Sequence, residues 1–323
     1  MEKEELQVKP SPPIYGEEED RDLGFGSIIS RERIRLLNRD GSFNVKRRGV
    51  HFWQSLSLYH VLLTTAWWKF GLIVVGYYAI ANLVFATVYV LIGPGALRGS
   101  ANDGIGYGFL QAFFFSVQTF STIGFGNITP VGVAANIVVA IESLAGLLGF
   151  ALATGLLFAR FSRPTANIIF SEWAVVSPYR GMTAFEFRIT NGRSNQLIEV
   201  EAKVIFSKFD QVDGVSLRRY YPLKLEREKV AFFPLSWTVV HPIDKTSPLN
   251  GITHEQMLST NAEFLVLLTG IDETFSQTVH SRSSYKADEV VWDAKFSNIF
   301  DPLSEDKTLA IDLSRFHRIE KAS

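Results

Sequence analysis

The chain has 323 residues, enough for a membrane unit and one soluble domain, and 47% of them are hydrophobic, with 26 phenylalanines. A formal net charge of −1 gives no bulk attraction to nucleic acid. The absence of cysteine removes disulfides, thiol nucleophiles and thiolate metal sites.

Residues 1–22 are acidic, contain proline and lack apolar periodicity, which reads as a mobile tail and not a secretory signal. A basic stretch follows with Arg31, Arg33, Arg35 and Arg39, and residues 1–45 are taken together as tail and basic segment. Across 46–69, Phe52, Trp53, Leu56, Tyr59, Leu62 and Leu63 recur at helical spacing among polar residues. This fits a helix lying at a membrane interface, or a soluble amphipathic helix packed on a core. Trp67, Trp68 and Lys69, directly before an apolar run, favour the interface.

Residues 70–92 carry no charge and are long enough to cross a bilayer, which takes about 20 residues. A second candidate span covers 131–160, with Glu142 as the one carboxylate inside it. Between them, 93–108 is rich in glycine, and 109–127 pairs a helix too short to span with an extended return. Irregular backbone at membrane depth is tolerated only inside protein or against water, so this piece is expected to be re-entrant. Lys69 and the Arg-rich stretch precede the first span and Arg160 and Arg163 follow the second, while the intervening loop offers only Arg98. The positive-inside rule then places both termini in the cytoplasm of a cell whose inner membrane holds the protein.

From 164 to 323 the pattern changes to alternating apolar and polar residues, as in 184–189 and 199–204. A continuous apolar run at 264–268, a turn signal at Asn191-Gly192 and scattered prolines suggest an antiparallel β-sandwich, with one short helix near 254–260.

The segment Thr122-Ile123-Gly124-Phe125-Gly126 follows the aromatic run 113–115 and lies between the two spans. Its alternating glycines let the backbone hold successive carbonyls on one side, where they can replace the water shell of a cation. One copy cannot surround an ion, so this reading requires four chains. Rings of carbonyls from Thr122, Ile123, Gly124 and Phe125 would then bind potassium, with the Thr122 hydroxyl innermost. A chance Gly-rich turn is the other reading, and the position between two spans argues against it.

Thr122–Gly126 resembles the potassium-channel signature. Trp67-Trp68-Lys69-Phe70, Phe115-Ser116-Val117-Gln118-Thr119, Thr154-Gly155-Leu156 and the run from Phe158 to Pro164 resemble prokaryotic inward-rectifier (KirBac-type) potassium channels. So do Pro234-Leu235-Ser236-Trp237, Ser247-Pro248-Leu249 and Asp272-Glu273-Thr274. The resemblance covers residues 45–300. It implies a membrane α plus all-β protein: a homotetrameric pore of two transmembrane helices with a re-entrant pore helix and filter. An interfacial helix precedes the pore, and a cytoplasmic immunoglobulin-like β-sandwich follows it. The pore domain is expected over 70–163, with the outer helix at 70–92, pore helix and filter at 109–127 and inner helix at 131–160.

Two positions depart from the family pattern. Phe125 stands where tyrosine is usual, which keeps the carbonyl but loses the hydroxyl that ties the filter to the pore helix. Asn127 stands where an acid is usual, which removes negative charge from the outer mouth. By resemblance, Phe150 occupies the cavity position where strongly rectifying relatives carry an acid, so weak rectification is expected. Glu142 lies eight residues earlier, about 80° away around a helix, so it is expected to sit to the side near the filter base. It is either a functional pore carboxylate or a structural one bonded to the pore helix. Phe158 is expected near the cytoplasmic end of the pore, where a ring of four closes it by dewetting, unless it only packs. Gly146, Gly149 and Gly155 allow bending or close packing. Arg47, Arg48, Lys69, Arg160 and Arg163 are candidates for anionic phospholipid headgroups, or serve topology alone.

No Ser/His/Asp arrangement and no metal-ligand spacing of histidines occurs, so no enzyme and no cofactor is expected beyond potassium as the permeant ion. Two other functions fit parts of the sequence: a weakly selective cation channel, and a binding domain anchored by its two spans.

Overall fold

The computed structural model of the protein describes residues 34–45, 57–99, 107–162, 166–193, 195–212, 215–233, 235–301 and 310–322. The expectations for the acidic tail, for the interfacial helix over 46–56, and for Arg47, Arg48 and Arg163 fall outside these residues. The chain forms two compact units, one of residues 47–163 and one of residues 1–46 with 164–323.

In the first unit, helix α1 (Leu58–Thr64) starts at Ser57, whose side chain accepts a hydrogen bond from the His60 amide. Thr65 and Ala66 then take extended backbone, and α2 (Trp67–Ile92) begins. Trp67, Trp68 and Lys69 therefore open the outer helix and do not close the interfacial one, as the break falls two residues before them. Helix α2 ends at Gly93, whose φ of 119° favours glycine. Strand β1 (Leu97–Gly99) pairs antiparallel with β2 (Ile128–Pro130), from Leu97 opposite Pro130 to Gly99 opposite Ile128. These three-residue strands are too short to show an alternation in sequence. Between them run helix α3 (Tyr107–Phe120) and the 122–126 segment, and α4 (Gly132–Phe161) completes the unit.

Helix α3 packs on α2 through Ala112, Phe115, Ala86 and Tyr89, with the Tyr89 and Phe115 rings edge to face at 5.2 Å. By contrast, Leu72, Val75, Ile80 and Leu91 of α2 and Val133, Leu147 and Leu152 of α4 are exposed. Helices this apolar bury their surfaces against lipid or further chains, because water would penalise each such side chain by about 1.5–3 kcal/mol.

The second unit is a β-sandwich. Its first sheet has the order β11 (Gln277–Lys286), β10 (Glu263–Asp272), β6 (Leu197–Val212), β7 (Val215–Leu223), with β8 (Lys229–Phe232) also on β6. The second has β12 (Val290–Trp292), β4 (Ala174–Tyr179), β5 (Met182–Asn191), β3 (Ile168–Phe170), with β9 (Ser236–Ile243) on β5. All pairings in the two sheets are antiparallel except β12 with β4. The turn at Asn191-Gly192 does not join a hairpin. It carries the chain from one sheet to the other, since β5 and β6 share no ladder. The inward faces meet at Phe185 and Phe264, whose rings stack at 4.0 Å across the sandwich, beside Phe206, Phe187 and Tyr285. A short helix α5 (His254–Ser259) opens with a capping box of Thr253 and Gln256. Strands β13 (Ala294–Phe296) and β14 (Ile319–Lys321) form a separate antiparallel pair.

Residues 34–44 lie on the first sheet. Arg35 forms a two-pronged ion pair with Glu289, both contacts at 3.0 Å. The amides of Leu36 and Leu37 donate to the Glu263 carboxylate at 3.1 and 3.3 Å. Arg218 pairs with the same carboxylate at 3.1 Å and donates to the Ile34 carbonyl at 2.9 Å.

Candidate functional site

The 122–126 segment is shaped by what holds its amides. The Thr122 amide donates to the Thr119 carbonyl at 3.0 Å. The amides of Ile123 and Gly124 both donate to the Gln118 carbonyl, at 2.8 and 3.2 Å. The last turn of α3 thus takes up the amides, and the carbonyls are left for the other side. The dihedrals agree: Thr122, Gly124 and Gly126 have φ of 59°, 55° and 81°, while Ile123 and Phe125 keep negative φ. Alternating handedness turns successive peptide planes so that their oxygens stay on one side. The sequence suggested this freedom at the two glycines. It did not mark Thr122, a β-branched residue for which a left-handed backbone costs on the order of 1–3 kcal/mol. The signal was available in its spacing, two residues before Gly124.

Residues 122–127 are exposed in the single chain, Phe125 at 70%. An apolar cavity of about 350 Å³ lies beneath the segment, lined by Tyr77, Tyr78, Phe120, Thr122, Gly146 and Phe150. Helix α3 points its C-terminal end, the negative end of its dipole, at the base of the segment, a favourable place for a cation.

The inner-helix candidates separate into two groups. Phe150 and Phe158 are exposed at 74% and 72%. Glu142 and Gly146 are buried. Glu142 is fully buried within the chain. Its carboxyl accepts from Tyr89 of α2 at 2.6 Å and contacts the Ser116 hydroxyl of α3, which also lies 3.0 Å from Asn82 Oδ1. The Asn82 amide donates to the Tyr78 carbonyl at 2.7 Å. At Gly146 the absent side chain lets α4 touch the Phe120 carbonyl, and at Gly149 it makes room for the Tyr77 ring. Gly155 has open space around it.

Arg160 is engaged within the unit and not presented to solvent as a free cation. Its Nη1 donates to the Leu62 carbonyl and its Nη2 to the Thr65 carbonyl at 2.6 Å, and the guanidinium lies 4.5 Å from the Trp67 ring centre and 4.6 Å from that of Phe70. It thereby satisfies carbonyls at the end of α1, which a helix of seven residues cannot satisfy internally. Lys69 is exposed, 5.4 Å from the Trp68 ring centre. Among the described residues no cluster of histidine and acidic side chains is set to hold a metal.

Comparison with known proteins gives a consistent assignment for both units. A family profile described as "Ion channel" matches residues 73–163, and one described as "Inward rectifier potassium channel C-terminal domain" matches residues 168–323. The inward rectifier potassium channel Kirbac3.1 of Paramagnetospirillum magnetotacticum is 41% identical over 287 residues, covering 88% of this chain and 95% of that one. Human inward rectifier potassium channel 4 is 33% identical over 224 residues, 65% of this chain and 49% of its own, so the match spans about half of that relative. Human inward rectifier potassium channel 18 is 26% identical over 322 residues, covering 92% of this chain and 73% of its own.

Proposed function

Because the chain belongs to the prokaryotic inward-rectifier potassium channel family, we propose that it conducts potassium passively as a homotetramer, with Thr122, Ile123, Gly124, Phe125 and Gly126 of each chain as one quarter of the filter. The observation that carries this reading is the alternation of φ at 122, 124 and 126, with the amides of Thr122, Ile123 and Gly124 tied to the Thr119 and Gln118 carbonyls. Four such segments present rings of oxygens that exchange for hydration water, and several ions in file repel one another through. The exposed apolar faces of α2 and α4 support a membrane setting, with both termini cytoplasmic by the charge flanking the spans.

The cavity lies below the filter, at Phe150, and Phe158 narrows the cytoplasmic end. With no acid at Phe150, block by cytoplasmic polyamines or magnesium is weak. The sandwich unit and anionic phospholipid bias this gate, the lipid through Lys69, Arg47, Arg48 and Arg163. Arg160 acts in the same region by holding the end of α1. A second reading, a weakly selective cation channel, is favoured by one observation: Phe125 has no hydroxyl with which to tie the filter to its surroundings.

Purified protein in liposomes, with and without a phosphoinositide, tests both. We expect a tetramer by mass and a potassium flux well above the sodium flux. Comparable fluxes would favour weak selectivity. A monomer, or no potassium flux in either membrane, would overturn the channel reading in favour of an anchored binding domain.

A further inference from the structure

The filter of this chain lacks the phenolic tie at Phe125, so its alignment rests on the last turn of α3, whose Gln118 and Thr119 carbonyls receive its amides. Whatever fixes that turn fixes the filter. Ser116, two residues before Gln118, is fully buried and is joined to both neighbouring helices by one cluster: Asn82 and Tyr89 of α2, and Glu142 of α4.

The Asn82 nitrogen faces the Tyr78 carbonyl, which fixes the amide orientation and turns Oδ1 towards Ser116. The Ser116 hydroxyl lies between Asn82 Oδ1 and Glu142 Oε1, and Glu142 Oε2 accepts from the Tyr89 hydroxyl. Both carboxyl oxygens are thus taken up by groups of other helices, as a fully buried polar side chain requires.

We propose that Glu142 is a positioning residue of the filter: a buried carboxyl that bonds α4 to α2 and to the pore helix, and so supplies the support that Phe125 cannot. This rests on the reading of 122–126 as the filter. Gly146, one turn along the same face of α4, adds the close contact with the Phe120 carbonyl at the end of the same helix.

The test compares Glu142→Gln, Glu142→Leu and wild type as full-length channels in liposomes, with thermal unfolding of the same samples. Glutamine donates to Ser116 and accepts from Tyr89, so E142Q keeps the wild-type potassium-to-sodium flux ratio. E142L lowers that ratio by about tenfold, the scale of one buried polar group left unpaired, with the tetramer intact by mass. An E142Q channel that loses selectivity like E142L overturns the proposal, as does an intact E142L tetramer with an unchanged ratio. Wild-type liposomes that pass no potassium would count against the filter reading itself, while a lower unfolding temperature of E142L still reports the cluster without transport.

Discussion

Gly146 and Gly155 look alike in sequence, each a small residue in an apolar helix, and their surroundings demand opposite things. A Cβ at Gly146 collides with the Phe120 carbonyl, which belongs to the pore helix and cannot swing aside as a side chain does. We expect Gly146→Ala to destabilise the protein by about 1–3 kcal/mol, as overpacking does, and to reduce potassium flux. Gly155→Ala meets nothing within its own chain, so it is expected to cost less than Gly146→Ala and gains up to about 1 kcal/mol of helix propensity. Thermal unfolding in detergent distinguishes them, and equal effects would contradict the packing at Gly146. The sequence allowed either bending or packing at these glycines, because the deciding partner, Phe120, is 26 residues away. Glu142 was similar: a lone carboxylate in a span announces itself, but its partners Tyr89 and Ser116 come from two other helices. Phe125 needed no structure, since its missing hydroxyl is a property of the residue.

Among the elements, the long helices were readable because an apolar run of bilayer length with few charges marks a candidate span. Their ends were less so. Trp67 to Lys69 belong to α2 because Thr65 and Ala66 leave helical backbone, which no proline or glycine advertises. The 34–44 segment was read only as part of a basic stretch. Its order comes from distant acids, Glu289 for Arg35 and Glu263 for the Leu36 and Leu37 amides. Arg218 and Glu263 form an ion pair with both side chains almost fully buried, at 0% and 2% exposure. Arg218→Met removes the paired cation and leaves a buried carboxylate. We expect a loss of about 3–5 kcal/mol, seen as a lower unfolding temperature of the full protein. Arg218→Met with Glu263→Met recovers part of it, because the pair as a whole contributes less than half a pair costs. A single variant as stable as wild type would show that the pair is not closed to water.

At the scale of the whole molecule, Phe150, Phe158 and residues 122–127 are exposed on an apolar unit. The expectation of four chains came from the sequence, because a row of carbonyls on one backbone cannot enclose an ion. The identity of the pore-facing side chains was not, since that depends on the rotation of α4 about its axis. If Phe150 faces the common cavity, Phe150→Asp introduces four carboxylates there. Cytoplasmic spermine should then block outward current at least about tenfold more strongly than in wild type, measured as voltage-dependent block in reconstituted channels. Strong block of the wild type would contradict the weak rectification proposed above.

The alternation of φ along Thr122, Gly124 and Gly126 has a chemical consequence. A strand whose residues switch between mirror-related conformations is, in its backbone, a heterochiral polymer made from building blocks of one hand. Its tolerance to replacement must therefore follow chirality before size. At 122, 124 and 126 a D-amino acid sits in its own favoured region and an L-residue is strained, whereas at Ile123 and Phe125 the order reverses. Glycine at two of the three positions is the achiral compromise available to a ribosome, and Thr122 is the one of the three where the segment accepts the wrong hand and keeps a hydroxyl.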